Sequence, residues 1–225
     1  MKRLLTLGCS NSSELYGKSW PDYLSSSLGY NLFRASSPGA GNSFYLEKLH
    51  EGIKEINPDL VVIQLTEPSR IVTGMFEVDS SKDFGYTNGN YFKDISNYTW
   101  NAHSNEGNLE GYNISIDEFW SRNVSTSRWV DYKVMQDVFY MYSICKYFGV
   151  KVIFWSWFVN FEDLFVDSYE WLKDEILWID GFATDKMSKF EQPRISPTDS
   201  HFGSKPHEIL VKKWLLPEVL KFYNE

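Results

Sequence analysis

Apolar residues fall along this chain in short, nearly unbroken runs separated by longer stretches of helical period. Arg3–Leu7, Tyr30–Ala35, Leu60–Leu65 and Val150–Trp155 have strand length. Leu-Val-Val-Ile-Gln-Leu at 60–65 is almost continuous and β-branched, as a strand covered on both faces requires. Apolar positions three and four apart predict helices over Ser19–Leu28, Ser43–Ile56 and Trp129–Phe148. A further helix is expected around Glu162–Glu175, then a short apolar piece at Ile176–Ile179, then a last helix from about Lys205 into the Leu220 region. The breakers agree. Pro21 stands in the first turn of the first helix and Gly29 at its end, Asn57-Pro58-Asp59 stops the second, and Gly149 stops the third. Pro206 suits the first turn of the last helix, whereas Pro217 is expected to kink or end it.

Strands alternating with helices predict an α/β fold, a three-layer doubly wound parallel sheet of flavodoxin-like type. At 225 residues the chain suits a single domain, 1–225. Ligands of such sheets bind beyond the carboxyl ends of the strands. The loops after Leu7, Ala35 and Leu65 are therefore where chemistry is expected. One stretch breaks the rhythm. From 74 to 128 the sequence is rich in Asn, Gly, Ser, Tyr, Phe and Trp without a sustained period, which makes it a long insertion after the third strand. Its aromatics, Trp100 and Trp120 among them, argue against disorder, since disordered segments are aromatic-poor. Two roles fit: a cap that presents flat rings and Asn amides to a sugar ester, or a folded insertion that only covers a helix or joins two copies.

Charge and cysteine content narrow the partners. The formal net charge is −8, and no run of Lys and Arg exceeds two residues. Nucleic acid is therefore not expected, because phosphate-backbone binding rests on clustered cations. No apolar run approaches the ~20 residues of a membrane span, and Leu4–Leu7 is shorter than the ~7–15 apolar residues of a secretory signal. Cys9 and Cys145 cannot build a disulfide framework, so a reducing, cytoplasmic setting is expected. The four histidines, His50, His103, His201 and His207, show no metal-ligand spacing. A thiol phosphatase loop opening at Cys9 would need Arg where Leu15 stands, and no Gly-Lys-Ser/Thr follows the first strand.

The candidate chemistry sits at the two ends of the chain. Gly8-Cys9-Ser10-Asn11-Ser12 places a serine just past a strand. A nucleophilic serine needs exposure, a base and N–H donors for an oxyanion, and a strand-to-helix loop supplies the first and last. The same residues also read as a turn with capping serines. Asp199-Ser200-His201 precedes the last helix. Residues two apart in an extended loop point the same way, so this carboxylate can orient an imidazole that takes the proton of Ser10. The pair also reads as an acidic helix entry.

Taken together and in this order, these residues resemble the SGNH (GDSL-like) hydrolases. The first block of that family, usually Gly-Asp-Ser, stands here as Gly8-Cys9-Ser10. The glycine of the second falls in Ser37-Pro38-Gly39-Ala40-Gly41-Asn42. The last stands as Asp199-Ser200-His201-Phe202, with His207 six residues on, where the family has a structural histidine. The likeness runs from Lys2 to the last helix, apart from 74–128. Three departures are visible: Cys9 replaces the usual Asp, the Asp–His spacing is one residue short, and the third block reads Gln64-Leu65-Thr66-Glu67 instead of Gly-x-Asn-Asp.

The resemblance implies an ester hydrolase, or less often an acyltransferase, working through a covalent acyl-Ser10. His201 would be general base and then general acid, with Asp199 fixing its tautomer and no cofactor required. The implied oxyanion donors are the backbone N–H groups of Ser10 and Gly39, with the side-chain donor open among Thr66, Gln64 and Asn42. The implied partner is a small-molecule or carbohydrate ester. A second class stands beside it, an SGNH fold that binds a glycan without turning it over. The altered third block favours that class, and the intact Ser, Gly, Asp and His positions oppose it.

Overall fold

A computed structural model of the chain describes residues 1–37, 40–66, 71–72, 99–100, 128–160, 163, 167–196, 199 and 201–223. Gly39 lies outside these residues, as does the 74–128 insertion apart from Thr99–Trp100 and Arg128. Strands β1 (Arg3–Gly8), β2 (Asn31–Ser36), β3 (Leu60–Leu65), β6 (Lys151–Ser156) and β7 (Leu177–Phe182) form one parallel sheet in the order β2-β1-β3-β6-β7. Two short strands, β4 (Ile71–Val72) and β5 (Thr99–Trp100), pair antiparallel. The chain leaves β1 to one side for β2 and returns on the other side for β3. The crevice of this doubly wound sheet therefore opens at the carboxyl ends of β1 and β3.

Helices α1 (Trp20–Leu28), α2 (Asn42–Ile56), α3 (Arg128–Phe148), α4 (Ala183–Lys189), α5 (Ser204–Leu210) and α6 (Leu216–Lys221) cover the sheet. Side chains alternate across the strands, so neighbouring residues of β1 and β3 enter opposite layers. Leu5, Val61 and Ile63 pack with Leu49 and Ile53 of α2 and Val138 of α3. Leu4, Leu60 and Val62 pack with Trp20 and Leu24 of α1 and with Leu210 and Val219 at the chain's end. The continuous apolar run of β3 is explained by this double covering, because every one of its six residues is buried.

The predicted boundaries move by one residue where a helix hands over to a strand. Tyr30 and Val150 were expected to open strands, but they donate their N–H groups to the carbonyls of Ser25 and Cys145, at 3.0 and 2.9 Å. Those bonds complete the ends of α1 and α3, where Gly29 and Gly149 adopt the left-handed conformation at φ 68°. The sheet ladders start one residue later, at Asn31 and Lys151. In place of the α-helix expected around Glu162–Glu175, Asp167–Asp174 forms 3₁₀ turns. Their period of three turns Tyr169 and Leu172 toward the core and leaves Trp171 outward. Pro217 does not end the last helix. A π turn at Val211–Leu215 widens the backbone just before it, which accommodates a ring that offers no N–H and crowds the carbonyl four residues back.

Among the described residues, no helix is long and apolar enough to cross a membrane. No three His, Cys, Asp or Glu side chains among them gather where they could hold a metal ion.

Candidate active site

β1 ends at Gly8, Cys9 continues in extended conformation, and Ser10–Ser12 forms a single 3₁₀ turn. The turn is closed by Ser12 N–H donating to the Cys9 carbonyl at 2.9 Å and by Ser13 Oγ donating to the Ser10 carbonyl at 2.7 Å. Beneath it lies a buried polar latch. The indole N–H of Trp20 donates to Ser12 Oγ at 2.8 Å, Ser12 Oγ donates to Gln64 Oε1 at 2.5 Å, and Gln64 Nε2 donates to Cys9 Sγ at 3.2 Å. The latch explains Gly8, because a Cβ there would stand 1.9 Å from Ser12 Oγ and 2.9 Å from Gln64 Oε1. An indole, a hydroxyl, an amide and a sulfur satisfy one another there, as buried polar groups must. Ser12 and Trp20 were not singled out in the sequence. Ser12 was legible only as a capping serine and Trp20 only as a helix start.

The second half of the site comes from the loop ahead of α5. His201 Nδ1 lies 2.7 Å from Asp199 Oδ1, and His201 Nε2 lies 2.7 Å from Ser10 Oγ. The same carboxylate oxygen also accepts the backbone N–H of His201 at 2.9 Å. That double use accounts for the short Asp–His spacing, since a carboxylate two residues back reaches both the N–H and the ring. These bonds, the backbone one foremost, hold the Asp199 carboxyl below the usual carboxylate range. With Asp199 ionised, Nδ1 carries the imidazole proton and Nε2 is left to accept from the Ser10 hydroxyl. Ser10 and His201 are 191 residues apart in the chain.

No protein-family model matches the chain, and no curated protein matches it in sequence. Solved structures match it in shape. The crystal structure of TesA superposes with a TM-score of 0.58 at 14% identity, over 97% of this chain and 98% of that one. The psychrotrophic esterase EstA from Pseudoalteromonas sp., in a structure inhibited by monoethylphosphonate, gives a TM-score of 0.56 at 11% identity over the full length of both chains. A GDSL-like lipase from Bacteroides thetaiotaomicron gives 0.54 at 14% identity, over 98% of this chain and 88% of that one. The fold is that of the SGNH hydrolases.

In this SGNH fold the remaining candidates separate. Asn42, the first residue of α2, accepts the Thr66 N–H on Oδ1 at 2.9 Å, and its Nδ2 lies 3.5 Å from the Thr66 carbonyl. This pair ties the loops after β2 and β3, the two strands that flank β1. Ser37 N–H also donates to the Gly8 carbonyl at 3.3 Å, so the loop after β2 starts beside the serine turn. Gln64 is fully buried, with both ends of its amide engaged in the latch. Gly39 lies outside the described residues.

His207 is buried in α5 with its ring 5.5 Å from that of Trp157. Burial pushes it down to about 4, opposed in part by Asp22. As pH falls from 6.5 to about 4.5, the unfolded chain protonates this histidine and the folded one does not, so stability declines by about 2 kcal/mol. Asp199, Glu175 and Glu208, each held below its usual range, begin to lose their contribution only at the acid end of that window, and they do so alike in the parent and in a His207 variant. Urea unfolding at pH 6.5 and 4.5 is expected to show this decline in the parent and a smaller one in His207→Gln. Equal declines would mean His207 is not the buried neutral group.

Proposed function

We propose that the chain is a serine ester hydrolase acting through a covalent acyl-Ser10. One observation carries this reading: a continuous hydrogen-bonded chain from Ser10 through His201 to Asp199 at the carboxyl edge of the sheet. As Ser10 Oγ attacks the ester carbonyl, its proton passes to His201 Nε2. The imidazolium, steadied by Asp199, returns that proton to the leaving alkoxide as the C–O bond breaks. Water then repeats the sequence on the acyl-serine, releasing the acid and restoring Ser10. EstA, which shares the fold, is described as an esterase inhibited by monoethylphosphonate, and this supports ester chemistry.

For the oxyanion we assign the backbone N–H groups of Ser10 and Gly39 together with the Asn42 amide. Gln64 is set aside because its amide is consumed by the latch. Asn42→Asp separates the two duties of this residue. It keeps an oxygen for the Thr66 N–H but loses the donor that also faces the Thr66 carbonyl. Stability is therefore expected to fall by about 1–3 kcal/mol, while kcat falls by at least the factor of about 10²–10³ usual for one such donor. A near-normal kcat would assign the side-chain donor elsewhere.

The aromatic and amide content of 74–128 supports an O-acylated carbohydrate as substrate, because ring faces pack on sugar C–H groups while amides bond hydroxyls. The test of the reading is reaction with a fluorophosphonate followed by peptide mapping, then comparison of p-nitrophenyl acetate with an acetylated oligosaccharide. An adduct on Ser10 and turnover of both esters are expected. A chain that binds the oligosaccharide but takes no adduct at Ser10 would instead be a glycan-binding protein on this fold.

A further inference from the structure

One face of the His201 imidazole is covered by Tyr16, with ring centroids 4.6 Å apart and planes inclined by 33°. The loop that carries Tyr16 is fastened on both sides. Glu14 pairs with the buried Arg34 guanidinium of β2 at 3.0 Å, and Gly17 N–H closes a turn on the Glu14 carbonyl at 3.0 Å. Beyond it, Ser19 Oγ donates to the Ser12 carbonyl at 3.1 Å, and Asp22 pairs with Arg34 at 2.6 Å. Tyr16 is therefore held over the imidazole by a braced loop.

The two bonds that hold His201 lie at opposite ends of its ring. They fix its ends but leave it free to tilt about the line joining its nitrogens. Building on the acyl-Ser10 reading, we propose that Tyr16 is a positioning residue whose ring blocks this tilt and whose π face steadies the imidazolium formed when Nε2 holds the serine proton. An aromatic face attracts a cation within about 6 Å of its centroid, and the present stack is well inside that reach. The other groups that face the imidazole are Asp199 on its own loop, Ser10 on the β1–α1 loop, and His207 from α5, which burial keeps neutral near pH 7. Burial first, and then Asp199, raise the Tyr16 hydroxyl above its ordinary value, so no phenolate competes for the imidazolium.

Tyr16→Leu removes the ring, Tyr16→Phe keeps it, and 3,4,5-trifluorophenylalanine at the same position keeps its size but withdraws charge from its face. With p-nitrophenyl acetate, Tyr16→Leu is expected to lower kcat about tenfold and to move the pH midpoint of kcat/KM downward by about 0.5–1 unit. The trifluoro variant is expected to shift the midpoint in the same direction, and Tyr16→Phe to stay within about twofold of the parent. An unmoved midpoint in a folded variant would overturn the proposal. So would an upward shift, which follows if the ring only excludes water, or a loss in Tyr16→Phe equal to that in Tyr16→Leu. NMR titration of the His201 ring in the same variants is read without turnover. If the parent neither hydrolyses esters nor labels at Ser10, the acyl-Ser10 reading fails, while the titration still decides whether Tyr16 steadies the charged ring.

Discussion

Ser10→Ala is expected to lower kcat for p-nitrophenyl acetate by about 10⁴–10⁶-fold, leaving the residual rate that a bare oxyanion site supports. The fold should be unaffected, because Ser10 Oγ contacts His201 and is not part of the latch beneath the turn. Cys9 supplies the control. It is adjacent in sequence and chemically the stronger nucleophile, yet it is fully buried and its sulfur receives the Gln64 amide N–H. Cys9→Ala leaves that buried N–H poorly satisfied, at a stability cost of about 1–3 kcal/mol, but should keep most of the activity. A folded Cys9→Ala protein with no activity, beside an active Ser10→Ala, would move the nucleophile to the sulfur.

His201→Ala is expected to be as damaging as Ser10→Ala, and the double variant no worse than either, because residues that act as one unit do not contribute additively. Asp199→Asn tests the third member differently. An amide can present N–H to Nδ1, which would leave the proton on Nε2 and turn the base away from its task, and such a change typically costs about 10⁴ in kcat. The variant keeps the size of the side chain and gives up only the backbone bond that shares Oδ1 with the ring, a loss of about 1 kcal/mol. A melting temperature close to the parent should therefore accompany the loss. If Asp199→Asn retained more than about a tenth of parental kcat, the carboxylate would be a structural anchor of the loop and not the group that sets the tautomer.

Much of the scaffold was legible in the sequence. The apolar runs located β1 and β3, and the punctuation by Pro21, Gly29, Asn57 and Gly149 located the ends of helices, because caps and breakers act through the backbone of their own neighbours. One helix, Ala183–Lys189, falls where a loop was expected, and the other errors are local. Tyr30 and Val150 went to helix ends, since a hydrogen bond to the preceding helix competes with the first rung of the ladder and apolar pattern cannot rank the two. The 3₁₀ turns at Asp167–Asp174 and the π turn before Pro217 likewise differ from an α-helix by shifts too small to alter the spacing of apolar residues.

For the site, the sequence by itself determined which residue types were available and where along the chain they stood. Ser10 follows a strand, Asp199 and His201 are two apart, and Asn42 closes the loop after the second strand. Only the tertiary structure decided which of them meet. Carrying Ser10 to His201 over 191 residues requires the strand order β2-β1-β3-β6-β7 and the packing of α5 behind the first loop. The fates of Gln64, Ser12, Trp20 and Tyr16 were decided at the same level. An amide can donate to an oxyanion or to a thiol, and a tyrosine can line a core or cover an imidazole. The residue alone does not choose, because the choice depends on which partners the assembled layers bring within 3 to 5 Å.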